Sequence, residues 1–192
     1  MLGLITQYYD LADNLIVGEG YNYGVDLMLQ KNYGQLTGWL GYSWAKAPRA
    51  FIRNGVPVTY PSVHHREHDF NAVVNWHIHG RWDLSATYIF ATGTPYTEIK
   101  SGYILGESGI VQLGRHNASR YPALNRLDLG VSYQLPSERQ IAHSVKIAVY
   151  NATFAKNPIS YNYNNYKGNT LYKRPIYIFT TAIPSVSYFL HF

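Results

Sequence analysis

The clearest pattern along the chain is a two-residue rhythm. Tyr23, Val25, Leu27 and Leu29 fall on one side, and Gly24, Asp26, Met28 and Gln30 on the other. Successive side chains of a strand point to opposite faces, so this reads as a strand with one face in an apolar medium. Leu36, Gly38, Leu40, Tyr42 and Trp44 repeat the rhythm against Thr37, Trp39, Gly41 and Ser43. Phe70, Ala72, Val74, Trp76 and Ile78 alternate with Asn71, Val73, Asn75 and His77, and Trp82, Leu84, Ala86, Tyr88 and Phe90 with Asp83, Ser85, Thr87 and Ile89. The cleanest case sets Leu127, Leu129, Val131, Tyr133 and Leu135 against Arg126, Asp128, Gly130, Ser132 and Gln134. Val145, Ile147 and Val149 oppose Lys146, Ala148 and Tyr150, and the final stretch sets Pro184, Val186, Tyr188, Leu190 and Phe192 against Ser185 and Ser187. Seven strands are predicted, with a weaker eighth ahead of Tyr9.

The connections alternate short and long. KNYG (Lys31 to Gly34) is a tight turn in which Asn32 and Gly34 supply positive φ, and HGR (His79 to Arg81) is another. PSERQIAH (Pro136 to His143) is the third short connection. Residues 48–66, 92–122 and 155–172 hold prolines, glycines and asparagines without sustained alternation, and are predicted to be long loops. Outer-membrane barrels have short turns on the periplasmic side and long loops outside. A soluble antiparallel sandwich has no reason to sort its loops by end. Asp26, Asn71, Asn75, Asp83, Arg126, Asp128 and Lys146 all fall on the less apolar face, where a barrel presents its lumen. A cationic side chain among them turned to the bilayer midplane would cost about 2 to 4 kcal/mol. The predicted fold is therefore all-β, an antiparallel transmembrane β-barrel segment of seven to eight strands. An odd strand count cannot close with both ends on one side, and bare edges in hydrocarbon are costly, so the segment is predicted to belong to a larger barrel.

Composition narrows the alternatives. The chain has 192 residues, 19 of them Tyr, no Cys, and 14% charged residues. Abundant Tyr suits the aromatic girdles of a membrane barrel, and the absence of Cys excludes a disulfide scaffold and thiolate-ligated metal. No apolar run is long enough for a transmembrane helix, and alternation within each strand hides a barrel from average hydropathy. The first ten residues, MLGLITQYYD, have no basic region followed by a long apolar one, so they are not read as a signal peptide. The net charge of +5 is spread along the chain without a Lys/Arg stripe that would track a phosphate backbone, so no nucleic-acid partner is expected.

No nucleophile, base and orienting group share a face, and no Gly-rich phosphate loop follows a strand; neither an enzyme nor a cofactor is expected. The run His64, His65, Arg66, Glu67, His68 and Asp69 contains metal-ligating types, but neighbours in an extended chain point apart and the structural reading is preferred. Arg126 and Asp128, two apart on one face, are expected to form an ion pair. Gly93 and Pro95 are expected to form a turn where strand meets loop.

HHREHDFN (His64 to Asn71), ATGTPYT (Ala91 to Thr97), RYPALNRLDLGVSY (Arg120 to Tyr133), VYNATFAKNPISY (Val149 to Tyr161) and IPSVSYFLHF (Ile183 to Phe192) resemble, in this order, the C-terminal strand motifs of TonB-dependent outer-membrane receptors of the Bacteroidetes type. GYNYGVDLMLQKNYGQLTGWLGYSWAKA, from Gly20, extends the likeness over nearly the whole chain. The resemblance implies the closing strands of a barrel of about 22 strands with a plugged lumen, residues 1–192 holding no counterpart of the plug or signal peptide. It also implies import of a scarce ligand, a ferric siderophore ahead of haem, cobalamin or a glycan, powered through TonB, in the outer membrane. The ligand would meet residues within 48–66, 96–118 and 156–171. Tyr188, Leu190 and Phe192 would form the strand signal read by the barrel assembly machinery. Two rival readings are a small autonomous eight-stranded barrel with a structural or adhesive role, and a soluble glycan-binding β-sandwich.

Overall fold

The computed structural model describes residues 17–53, 55–105, 108–137, 142–166 and 170–191, and among these there is no helix. In chain order the strands are β1 (Gly18–Gly20), β2 (Tyr23–Lys31), β3 (Leu36–Lys46), β4 (Pro48–Arg53), β5 (Val56–Pro61), β6 (His68–His79), β7 (Trp82–Ala91) and β8 (Pro95–Tyr96). They continue with β9 (Ile99–Leu105), β10 (Ser108–Leu113), β11 (Ser119–Arg120), β12 (Leu124–Leu135), β13 (Ala142–Tyr150), β14 (Pro158–Tyr166), β15 (Thr170–Tyr177) and β16 (Ile183–His191).

Seven of these strands, each 9 to 12 residues long, form one antiparallel meander in the order β16-β13-β12-β7-β6-β3-β2. Residues paired across a ladder share a face. Leu27 lies opposite Tyr42, Tyr42 opposite Phe70, and Phe70 opposite Phe90. In the other half, Val131 lies opposite both Leu84 and Ile147, and Ile147 opposite Val186. The rhythm of each strand thus adds up to a single apolar face. Short connections gather at one end of the sheet and long ones at the other. Gly34 (φ +89°) and Gly80 (φ +63°) make the turns that the sequence marks. Asn32 does not take positive φ; its side chain instead accepts a hydrogen bond from Gln30 Nε2 at 2.8 Å.

The long connections are not structureless. They contain the antiparallel pairs β4–β5, β9–β10 and β14–β15, with β1 added beside β4 and the short pair β8–β11. Both faces of these pairs lie outside any packed core, so burial does not impose apolar alternation on them. β13 also begins at Ala142, earlier than the apolar rhythm from Val145 indicates, and the suggested strand ahead of Tyr9 lies outside the described residues.

The seven-stranded sheet is open. The outer edges of β2 and β16 have no partner strand among the described residues. Nor does either face carry a core. Among the described residues, Ala91 and Pro95 are the only fully buried apolar side chains, while Leu29 is 70% and Val186 73% exposed.

Candidate functional site

The apolar face is the first feature with a chemical consequence. Val25, Leu27, Leu29, Leu40, Leu129, Ile147, Val186 and Leu190 all stand exposed on it. Leaving a Leu, Ile or Val in water forgoes about 1.5 to 3 kcal/mol each. The aromatic residues of this face collect at its two ends. At the loop end are Tyr23, Trp44, Tyr42, Phe70, Tyr88 and Phe90, with Tyr23 and Trp44 edge to face at 6.1 Å. At the turn end are Trp76, Trp82, Tyr133 and Tyr188, with Trp82 and Tyr133 centroids 4.5 Å apart. Aliphatic and small residues occupy the middle. Tyr188 and Leu190 lie on this face of β16, and the Tyr188 hydroxyl is 2.5 Å from His143 Nδ1. Phe192 lies outside the described residues.

The opposite face is polar, and the register brings all seven sequence-selected residues onto it. Asp26 sits opposite Ser43, Ser43 opposite Asp69, and Asn71 donates to Asp69 Oδ1. Asn75 lies opposite Thr37 and Ser85. Asp83 Oδ1 is 2.7 Å from His77 Nδ1, and Lys146 lies between Ser132 and Ser187. Arg126 Nε is 3.1 Å from Asp128 Oδ2, close enough for an ion pair but not aligned as a hydrogen bond. Arg126 also donates to Tyr150 Oη at 3.0 Å, with its guanidinium 4.6 Å from the Tyr150 ring centre.

Asp128 has a second task that its sequence position does not reveal. Its Oδ1 accepts from the backbone N–H of Asn151 at 2.9 Å. Asn151 is buried at positive φ (54°), where Asn is tolerated better than most residues. Its side chain donates to Ala155 O and Thr181 O and accepts from Ala155 N. The start of the last long connection is thereby tied to β12.

The loop end carries two further clusters. In the first, Arg120 donates to Gly93 O at 2.9 Å and to His65 Nδ1 at 2.8 Å, while His65 Nε2 is 3.0 Å from Ala45 O. A guanidinium only donates and a carbonyl only accepts, so these bonds require the tautomer with its proton on Nε2. The His64–Asp69 run is thus dispersed. His65 is locked in this network, His68 Nδ1 is 2.8 Å from the Tyr42 hydroxyl, and Glu67 pairs with Lys46 at 2.8 Å, whose hydrogen bond lowers the Glu67 carboxyl below its ordinary value. Gly93 serves close approach rather than a turn, because a Cβ there would overlap Tyr121 O. Pro95 is buried in the β8–β11 bridge.

In the second cluster, Tyr121 stacks on Tyr161 with planes 6° apart at 5.2 Å, and Tyr96 lies 4.5 Å from Tyr121 and 5.3 Å from Tyr161. Lys173 Nζ sits 4.1 Å above the Tyr161 ring, bonds the Tyr96 hydroxyl and pairs with Glu98 at 3.0 Å. Lys100 pairs with Glu98 at 2.7 Å. Hydrogen bonds from Lys100 and then Lys173 lower the Glu98 carboxyl to about 2. Burial pushes the Lys173 ammonium down, but its bonds to Tyr96 and Glu98 outweigh this and hold it above its ordinary value. This clasp joins the second and third long connections. Sequence reading missed it, although Ile159, Tyr161 and Tyr163 alternate with Ser160 and Asn162 in plain view.

Comparison with protein-family models, with curated proteins and with solved structures finds no match.

Proposed function

We propose that this chain is part of an outer-membrane β-barrel, the C-terminal strands of a TonB-dependent receptor that imports a scarce ligand, with a ferric chelate as the first candidate. The observation that carries the reading is the uncovered apolar face bounded by two aromatic belts. A lipid-facing barrel wall has this design, and strands of about 9 to 11 residues are what a tilted crossing requires. The polar face then lines the lumen, and the end bearing the strand pairs is extracellular. The edges of β2 and β16, unpaired among the described residues, favour a wall completed by further strands over an autonomous small barrel. The lack of a core among the described residues argues against a glycan-binding sandwich, whose two sheets bury their facing sides. Coupling to TonB and the identity of the ligand are carried by the sequence motifs.

Single-tryptophan variants reconstituted in bilayers test the membrane reading. Acyl-brominated lipid is expected to quench Trp44, Trp76 and Trp82, which share the apolar face, and to spare Trp39 on the other. Equal quenching of all four, or none, overturns it. Transport is tested in cells carrying the gene. Uptake of a radiolabelled ferric chelate is expected to exceed that of gene-free cells and to stop on addition of a protonophore.

A further inference from the structure

Charge is distributed unevenly over the molecule. The three long connections, residues 47–67, 92–123 and 151–182, hold ten Lys/Arg against three Asp/Glu, a surplus of seven. The rest of the chain holds six against eight, a deficit of two. Over the described residues of these connections and of β1, which pairs with β4, the balance is nine Lys/Arg against three Asp/Glu, so a basic surplus lies at the strand-pair end, and part of it lines a cavity.

On β4 the two-residue period places Arg49, Phe51 and Arg53 on one face, and Tyr60 of β5 pairs with Arg49. On the other side of β4, Gly20 lies opposite Arg49 and Gly18 opposite Phe51. These glycines present no side chain, and a Cβ on Gly20 would come within 2.6 Å of the Arg49 side chain. A hollow of about 600 Å³ opens here, walled by Arg49, Phe51, Arg53, Tyr60 and His116. That lies within the range of small-molecule sites, about 300 to 1,000 Å³. His116 arrives from the second long connection with its ring edge-on to Tyr60 at 4.5 Å, and Phe51 meets Tyr60 edge to face at 5.5 Å.

The arginines are placed but not neutralised. Arg49 donates to Tyr21 O, Asn22 Oδ1 and Pro48 O, all uncharged acceptors. Neither Arg49 nor Arg53 has a carboxylate partner among the described residues. Glu19, at the wall of the hollow, accepts from the Tyr21 hydroxyl at 3.3 Å instead. Arg49 also borders a second cavity of about 630 Å³ that reaches Lys46, His64 and Arg66 and, on the polar face of β2, Asp26.

We propose that the β4–β5 hollow is an entry subsite for an anionic, oxygen-rich ligand, a negatively charged ferric chelate. The two guanidiniums bind its carboxylate or catecholate oxygens, and Phe51 and Tyr60 flank its flat portion. Arg49 then hands the anion on toward the polar face. The charge preference rests on the cavity alone. The ferric centre rests on the transport reading above.

The test is equilibrium binding to outer-membrane preparations from cells expressing the full chain, with ferric citrate as the anionic probe and ferrioxamine B as the cationic one. Ferric citrate is expected to bind and ferrioxamine B not. R53Q, which removes a charge without removing a side-chain hydrogen bond among the described residues, is expected to weaken ferric citrate binding about tenfold, and R49Q/R53Q to abolish it. K31Q, at the turn end, is expected to leave it unchanged. Raising salt from about 50 mM to about 0.5 M is expected to weaken binding in the wild type and not in R49Q/R53Q. Binding of ferric citrate to R53Q and R49Q/R53Q at wild-type strength, or a preference for the cationic chelate, overturns the subsite while leaving the transport reading standing. Arginine-dependent binding of iron-free citrate or inorganic phosphate, with no ferric chelate bound, supports the anion site and overturns the ferric reading.

Discussion

Asn151 shows how much one side chain contributes where strand becomes loop. Three hydrogen bonds radiate from its amide, and its backbone N–H is held by Asp128. Asn151→Ala leaves the half-buried Ala155 N–H and C=O without their partner and forces a β-carbon without polar compensation into positive φ, so a loss of about 1 to 3 kcal/mol is expected in urea unfolding of bilayer-reconstituted protein. Asn151→Gly keeps the backbone conformation and is expected to recover about 1 kcal/mol of that loss. Asp128→Ala removes the acceptor for the same N–H and strips Arg126 of its counter-charge. Because the two sites share a bond, the double variant is expected to fall short of the summed single losses by about 0.5 kcal/mol or more. Additive losses would show that the Asn151 side chain does nothing to hold its own backbone N–H against Asp128. The Arg126–Asp128 pair was legible in the sequence, since an i, i+2 spacing on a strand puts both on one face. Asn151 was not, because its partners lie as far away as Thr181 and nothing local marks the fold-back.

Among the elements, the seven long strands were readable because each has one uniform apolar face. The strand pairs in the connections were not. Arg49, Phe51 and Arg53 alternate with Pro48, Ala50 and Ile52, a pattern of charge rather than hydropathy. In β14 the strand-favouring Ile159, Tyr161 and Tyr163 are interleaved with strand-poor Asn162, Asn164 and Asn165, and its ladder with β15 and the tyrosine clasp decide the outcome. The clasp makes these connections sensitive to acid. The folded-state value of Glu98 is depressed from 4.5 to about 2, so its stabilisation is complete above about pH 4.5 and is lost as pH falls toward 2. Protease cleavage within residues 92–182 is expected to rise over that interval in the wild type, and to start higher and stay flat in Glu98→Gln. A wild-type profile as flat as the variant's removes Glu98 from the clasp. Gly93→Ala, which drives a methyl into Tyr121 O, is expected to raise cleavage in the same region at every pH.

At the scale of the whole molecule, two adjacent residues test the proposed wall, since they report which face of the sheet meets what. Val186 and Ser187 are neighbours on β16 with opposite orientations, Val186 beside Ile147 and Ser187 beside Lys146. In a bilayer, Val186→Arg near mid-wall is expected to cost about 2 to 4 kcal/mol, while Ser187→Arg is expected to stay within about 0.5 kcal/mol of wild type. Urea titration of the folded fraction in lipid vesicles reads both. Equal tolerance would mean that neither face meets hydrocarbon. Which face is apolar was readable from the sequence, and so was the open outline of the sheet, because an odd number of strands cannot close with both ends on one side.

That outline has a kinetic consequence. Along each border about every second residue turns its N–H and C=O outward, so β2 and β16, whose outer edges are unpaired among the described residues, offer two ready templates for any extended peptide. On the proposed barrel reading, insertion of this stretch is a collective step taken with further strands, and the interval between synthesis and sealing is when an escorting chaperone has most to protect.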